Sequence, residues 1–154
     1  MTAGSTSARL EQLGVVLPHV AAPLASYVPA VRTGNLVYTS GQLPIEGGKL
    51  AATGKVGAEV SSEQGKALAR ICALNALAAV GSVVDIDTVA RVVKVVGFVA
   101  SAPGFNGQPN VINGASDLFA EVFGDNGAHA RSAVGVSELP LDAPVEVELI
   151  VEVG

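Results

Sequence analysis

The stretch "DTVARVVKVVGFVAS", residues 87–101, constrains the fold more than any other part of this chain. Its valines are stiff at χ1 and favour extended backbone over helix. Val92, Val93, Val95, Val96 and Val99 fall on both phases of a two-residue period, so a strand here is expected to bury both faces. A layer of helices covers only one face of a sheet. A second subunit is the economical cover for the other. Composition points the same way. Of 154 residues, 49% are hydrophobic and only 15% charged, so part of the apolar surface is expected to be hidden in an oligomer.

The segments around that strand are read from turn and cap signals. Residues 6–14 form a short helix, capped by Ser5 or Thr6, carrying Leu10 and Leu13 and closed by Gly14. Pro18 and Pro23 impose an extended connector. Residues 28–32 and 35–40 favour strands about a Thr33-Gly34-Asn35 turn, and "IEGGKLAATGKVG", residues 45–57, reads as a loop. Ser61 or Ser62 caps a long helix to about Val80, with Leu68, Ile71, Leu74, Leu77 and Ala78 on one side. "SAPGFNGQPN" is a loop, residues 111–123 a further helix ended by Gly124, and residues 132–137 and 145–153 the closing strands. This order predicts an α+β sandwich, a mixed sheet with two helices on one face. The length suits one domain.

Several function classes are disfavoured. A net charge of −5 gives no basic footprint for nucleic acid. Cys72 is the one cysteine, so no internal disulfide is possible and a reducing cytoplasm is the expected location. It sits among Ile71, Ala73 and Leu74 and reads as a packed thiol. His19 and His129 lack metal-ligand spacing, so no metal is expected; His129, two residues from Arg131, could line a cleft mouth but reads better as a surface histidine. "MTAGSTSARLEQLG" shows no secretory apolar core, and Arg91 and Lys94 interrupt the best membrane-length candidate. The glycines of residues 47–57 lack phosphate-loop spacing.

The last two strands hold the residues suited to chemistry. Alternation puts Val145, Val147, Leu149 and Val151 on one face of the final strand, and Glu146, Glu148, Ile150 and Glu152 on the other. In the strand before, Val134 and Val136 share a face, and Arg131, Ala133, Gly135 and Ser137 share the opposite one. The expectation is that the helices cover the valines while Arg131 shares the other face with Glu146. Small neighbours at Ala133 and Gly135 leave room beside a guanidinium, which forks well onto a carboxylate. Spacing alone favours ordinary solvated charges, which are commonplace on antiparallel sheets. Crowded glutamates on a strand that composition wants inside an oligomer favour a function.

Two blocks carry a family resemblance. "YVPAVRTGNLVYTSGQLP", residues 27–44, and "ARSAVGVSELPLDAPVEVELIVEV", residues 130–153, resemble the two signatures of the Rid/YjgF family of enamine/imine deaminases. With matching element order between them, the likeness covers about residues 25–153, and it implies residues 1–24 as an N-terminal extension to a domain at 25–154. It implies a chorismate-mutase-like fold, assembled as a homotrimer with clefts between subunits. It also implies hydrolysis of 2-aminoacrylate-type enamine and imine acids to 2-keto acids and ammonia, without metal or cofactor. Carried over residue by residue, Arg131 binds the substrate carboxylate and Glu146 directs water. Tyr27, Ser40 and Gly41 line the pocket, with Ala133 where the family usually has cysteine. Gly135 stands where a glutamate is frequent, and both small residues are expected to enlarge the pocket. Two alternatives remain open: a non-catalytic binder of small carboxylates using the same cleft, and an endoribonuclease, a label often attached to this family.

Overall fold

The computed structural model describes residues 5–154, so residues 1–4 of the N-terminal extension lie outside it. Helix α1 (Thr6–Gln12) is capped by the Ser5 hydroxyl and closed at Gly14, which takes a left-handed backbone. Strands β1 (Ala30–Thr33) and β2 (Leu36–Thr39) form a hairpin whose two-residue turn uses Gly34 at φ 56°. Part of the expected 45–57 loop is instead a small hairpin, β3 (Ile45–Glu46) and β4 (Lys49–Leu50). Gly47 and Gly48 both take positive φ, which is what so tight a turn requires.

Helix α2 (Ser62–Gly81) begins with a reciprocal capping box between Ser61 and Gln64. Its deepest stripe is Ala69, Cys72, Ala73 and Ala76, whereas Ile71 and Leu74, expected on the buried side, are half-buried. Small residues win that face because α2 lies close to its neighbours. A Cβ on Gly114 would sit 1.9 Å from the Lys66 carbonyl oxygen. Strand β5 (Val89–Ala100) leads into helix α3 (Gln108–Phe123), which starts three residues earlier than its apolar pattern suggests. Pro109 in its first turn needs no helical N–H partner, so it starts a helix it would otherwise break. Strands β6 (Ala130–Val136) and β7 (Val145–Val153) follow.

The five long strands form one mixed sheet in the order β1-β2-β7-β5-β6. All neighbours are antiparallel except β5 and β6, which run parallel across the α3 crossover. Val92, Val95, Val99, Val145, Val147, Leu149 and Val151 are fully or almost fully buried against α2 and α3. Register shifts in β5 bring Val89, Val92 and Val95 to that one face in steps of three. Val93 and Val96 are only half-buried, so a single chain covers one face of the valine strand. Helix α1 rests on α3 and on the turn before β5, where Asp87 accepts from the Ser7 backbone N–H and hydroxyl. Among the described residues, no helix is long and apolar enough to cross a membrane.

Candidate active site

Pairing register decides which candidate residues meet. Parallel pairing sets Arg131 beside Val95, Ala133 beside Gly97 and Gly135 beside Val99. Val95 and Val99 point into the helix-covered core, so Arg131 lies on the helix side of the sheet. Glu146 pairs with Phe98, which pairs with Val134, on the opposite side. Val134 is accordingly 43% exposed. The expected grouping of Arg131 with Glu146 is therefore corrected: within one chain they occupy opposite faces. β6 is an edge strand of moderate burial, and its phase follows its partner β5 rather than its own composition.

Arg131 belongs to a polar cluster at the α3 edge. Its Nη1 donates to Asn113 Oδ1 at 2.8 Å and to Ser116 Oγ at 3.2 Å. Those two residues are three apart on α3 and so share one helix face. Ser116 Oγ lies 2.8 Å from His129 Nε2, and His129 Nδ1 lies 2.6 Å from the Gly127 carbonyl oxygen. His129 is thus half-buried, edge-on to Phe119, rather than the surface histidine expected. No carboxylate of the described residues pairs with Arg131. Its charge is therefore met only by neutral hydrogen-bond acceptors.

The space next to Ala133 and Gly135 differs from expectation. A Cβ at Gly135 would sit 2.7 Å from Gln108 Nε2 and 3.0 Å from Ser101 Oγ. Gln108 fills that space, its amide donating to Ser101 Oγ and the Phe105 carbonyl, so Gly135 does not enlarge a pocket. Ala133 is partly buried against the core. Asn113, Ser116, His129 and Gln108 were not chosen from sequence. One signal was present: Asn113 and Ser116 stand at helical spacing beside the apolar stripe of Val111, Ile112, Ala115 and Leu118.

A second cluster gathers around Glu146 at the far side of β7. A Cβ on Gly41 would sit 1.8 Å from Glu146 Oε2, so only glycine admits the carboxylate there. Burial, and secondarily the charge of Glu148, raise the Glu146 carboxyl above its ordinary range. Such a group takes up a proton more readily than a solvated glutamate. Ser40 is spent locally, its hydroxyl donating to the Val28 carbonyl at 2.5 Å. Tyr27 is 45% exposed, its phenolic oxygen accepting from the Leu24 N–H, and it lines a small pocket with Gly41 and Pro29. The structure therefore brings Tyr27, Ser40, Gly41 and Glu146 to one side, and Arg131 with Ala133 to the other. Cys72 is fully buried with its thiol pushed up by burial, as a packed residue should be.

Comparison with known proteins bears on this arrangement. The family profile described as Endoribonuclease L-PSP matches residues 18–153. Protein TCP17 of Trypanosoma cruzi is 44% identical over 156 residues, spanning 100% of this chain and 98% of its own length. The 2-iminobutanoate/2-iminopropanoate deaminase of Escherichia coli K12 is 30% identical over 131 residues, 84% of this chain and 88% of its own. The crystal structure of protein Atu1372 from Agrobacterium tumefaciens matches with a TM-score of 0.88 at 49% identity, covering 97% of this chain and 92% of that one. Profile, relatives and fold agree, and the chain belongs to the endoribonuclease L-PSP family, known also as Rid/YjgF.

Proposed function

We propose that this chain is a hydrolytic deaminase of 2-imino and enamine acids, acting as a homotrimer whose clefts join the Arg131 cluster of one subunit to the Glu146 cluster of the next. The observation that carries the reading is Arg131: half-buried, fixed by Asn113 and Ser116, and unpaired with any described carboxylate. A charge kept in that state suits a small anionic ligand. The division of the two clusters between opposite faces supports an inter-subunit cleft. The uncovered sheet face supports the assembly, since Val31, Tyr38 and Val134 are exposed there in a single chain. Relatives named 2-iminobutanoate/2-iminopropanoate deaminase support the reaction class.

The chemistry follows from the two groups. An enamine acid tautomerises to its imine, and a proton from solvent on the nitrogen gives the iminium, whose C2 is electrophilic enough to meet water without a metal or cofactor. Arg131 grips the carboxylate and fixes C2 against the opposing wall. Glu146 takes a proton from water as the water oxygen bonds to C2. The carbinolamine then collapses: Glu146 returns its proton to the nitrogen, the C–N bond breaks as the hydroxyl proton passes to solvent, and ammonia and a 2-keto acid leave. Ribonuclease action has less support, because Lys55, Lys66 and Arg70 are each paired with an acidic residue and leave no basic track there.

The test is clearance of 2-aminoacrylate generated by a pyridoxal-phosphate dehydratase, with semicarbazide trapping what survives. Wild type is expected to clear the imine, and Arg131→Ala to lose both clearance and carboxylate affinity. Glu146→Gln separates a hydrolase from a binder: the hydrolase loses turnover but still binds a keto acid. Wild type indistinguishable from buffer would overturn the deaminase reading.

A further inference from the structure

The hydrogen bonds around Arg131 say more than that it is held; they say which edge of it is open. Nη1 carries two N–H bonds, and the two acceptors Asn113 Oδ1 and Ser116 Oγ account for both. Nε and Nη2 have no partner among the described residues. In a planar guanidinium, the Nε–H and one Nη2–H point the same way, a side-on fork matched to the two oxygens of a carboxylate.

The Ser116 hydroxyl has one proton, and where it points decides what Arg131 meets. A carbonyl oxygen only accepts, so the 2.6 Å contact with Gly127 places a proton on His129 Nδ1. In the neutral ring Nε2 is then an acceptor, and the 2.8 Å contact with Ser116 is a hydroxyl donating to it. With its proton committed to His129, the Ser116 oxygen turns its lone pairs to Arg131 Nη1. Remove that acceptor and the hydroxyl loses its one fixed direction, so its lone pairs no longer hold Nη1 in a single orientation.

Resting on the deaminase reading of this site, we infer that Ser116 and His129 are positioning residues for substrate: the chain Gly127–His129–Ser116 locks Arg131 so that its Nε–Nη2 edge is presented to the carboxylate of the imino acid. Neither residue touches substrate. Both act through Arg131, and both lie on the subunit that supplies it. Asn113 holds the same nitrogen from the next turn of α3 and completes the lock.

Two variants separate the hydrogen bonds of His129 from its ring. His129→Phe keeps an aromatic ring edge-on to Phe119, where the ring centroids are now 6.0 Å apart, but removes the acceptor. His129→Gln supplies an amide oxygen that can accept from Ser116. The assay is calorimetric binding of 2-oxobutanoate to the assembled protein, with turnover of 2-iminobutanoate measured beside it. His129→Phe and Ser116→Ala are each expected to weaken 2-oxobutanoate binding about fivefold, the size of one ordinary hydrogen bond. The rise should appear in KM rather than kcat. The double variant should bind no worse than Ser116→Ala alone, since both act on one lock. His129→Gln should recover most of the affinity, which a merely structural histidine would not allow. Arg131→Ala is the control. If it abolishes binding while His129→Phe binds like wild type, or the two losses simply add, the lock is refuted and the deaminase site survives. If Arg131→Ala binds like wild type, or wild type does not bind 2-oxobutanoate at all, both readings fall together.

Discussion

Gly41→Ala gives the sharpest separation of function from stability in this molecule. The new Cβ would stand 1.8 Å from Glu146 Oε2 and 2.8 Å from its Cδ, while Cβ contacts below 3.0 Å are essentially never found. Glu146 Oε2 must retreat by about 1.2 Å to restore even that limit. The obstructing atoms are the tip of a rotatable side chain, so the backbone need not move and the fold should lose little. The position of the carboxylate is what changes. A displacement of about 1 Å at a reacting group costs on the order of 100-fold in rate, or roughly 2.7 kcal/mol of transition-state stabilisation. The imine-clearance assay should therefore show about a 100-fold loss of kcat/KM, with 2-oxobutanoate binding through Arg131 retained. Thermal unfolding should shift by no more than about 2 °C, under 1 kcal/mol for a chain of this size. If Gly41→Ala clears imine at the wild-type rate with its assembly intact, the location of Glu146 does not limit the reaction, and its assignment as base fails.

Two further outcomes test the electrostatics and the packing. The folded state raises the Glu146 carboxyl, so the native chain binds more protons than the unfolded one between the two titration ranges, and stability falls as pH climbs through them. Glu146→Gln removes that penalty. It should unfold at higher temperature than wild type at pH 7–8, with the gain shrinking as pH falls toward about 4 and absent below it, where glutamate is protonated in both states. An equal Tm for the two proteins across that range would refute the burial argument. Gly114→Ala forces a Cβ to within 1.9 Å of the Lys66 carbonyl oxygen, a backbone atom that cannot swing aside. α2 and α3 must part, at a cost of about 3 kcal/mol or more and a fall in Tm of roughly 6–12 °C. Unfolding within about 2 °C of wild type would show that the helices yield cheaply.

Much of the architecture was legible because local rules acted without competition. The Ser61 cap with Gln64 three residues on marks the start of α2, and Gly124 marks the end of α3. Strand β7 alternates so regularly between Val and Glu that its two faces could be assigned from its letters, and burial follows them residue by residue. Helix α2 was harder, because its tightest face is chosen by how closely α3 approaches, and alanines carry little hydrophobic signal of their own.

The sequence by itself determined the element order, the α+β class, the valine strand that a single chain covers on one face only, and the two blocks that mark the family. Alternation also determined which residues of β6 travel together: Arg131 with Ala133 and Gly135, Val134 with Val136. Tertiary structure alone decided which of those sets turns toward the helices. Hydrophobicity favours Val134 and Val136 for the helix side, but an edge strand takes its phase from its partner, and a one-residue change of phase exchanges the two sets. The parallel ladder to β5 makes the choice, and it parts Arg131 from Glu146. It also brings Arg131 over α3, onto Asn113 and Ser116, residues whose role depends on a strand 14 or more positions away and is carried by no motif of their own.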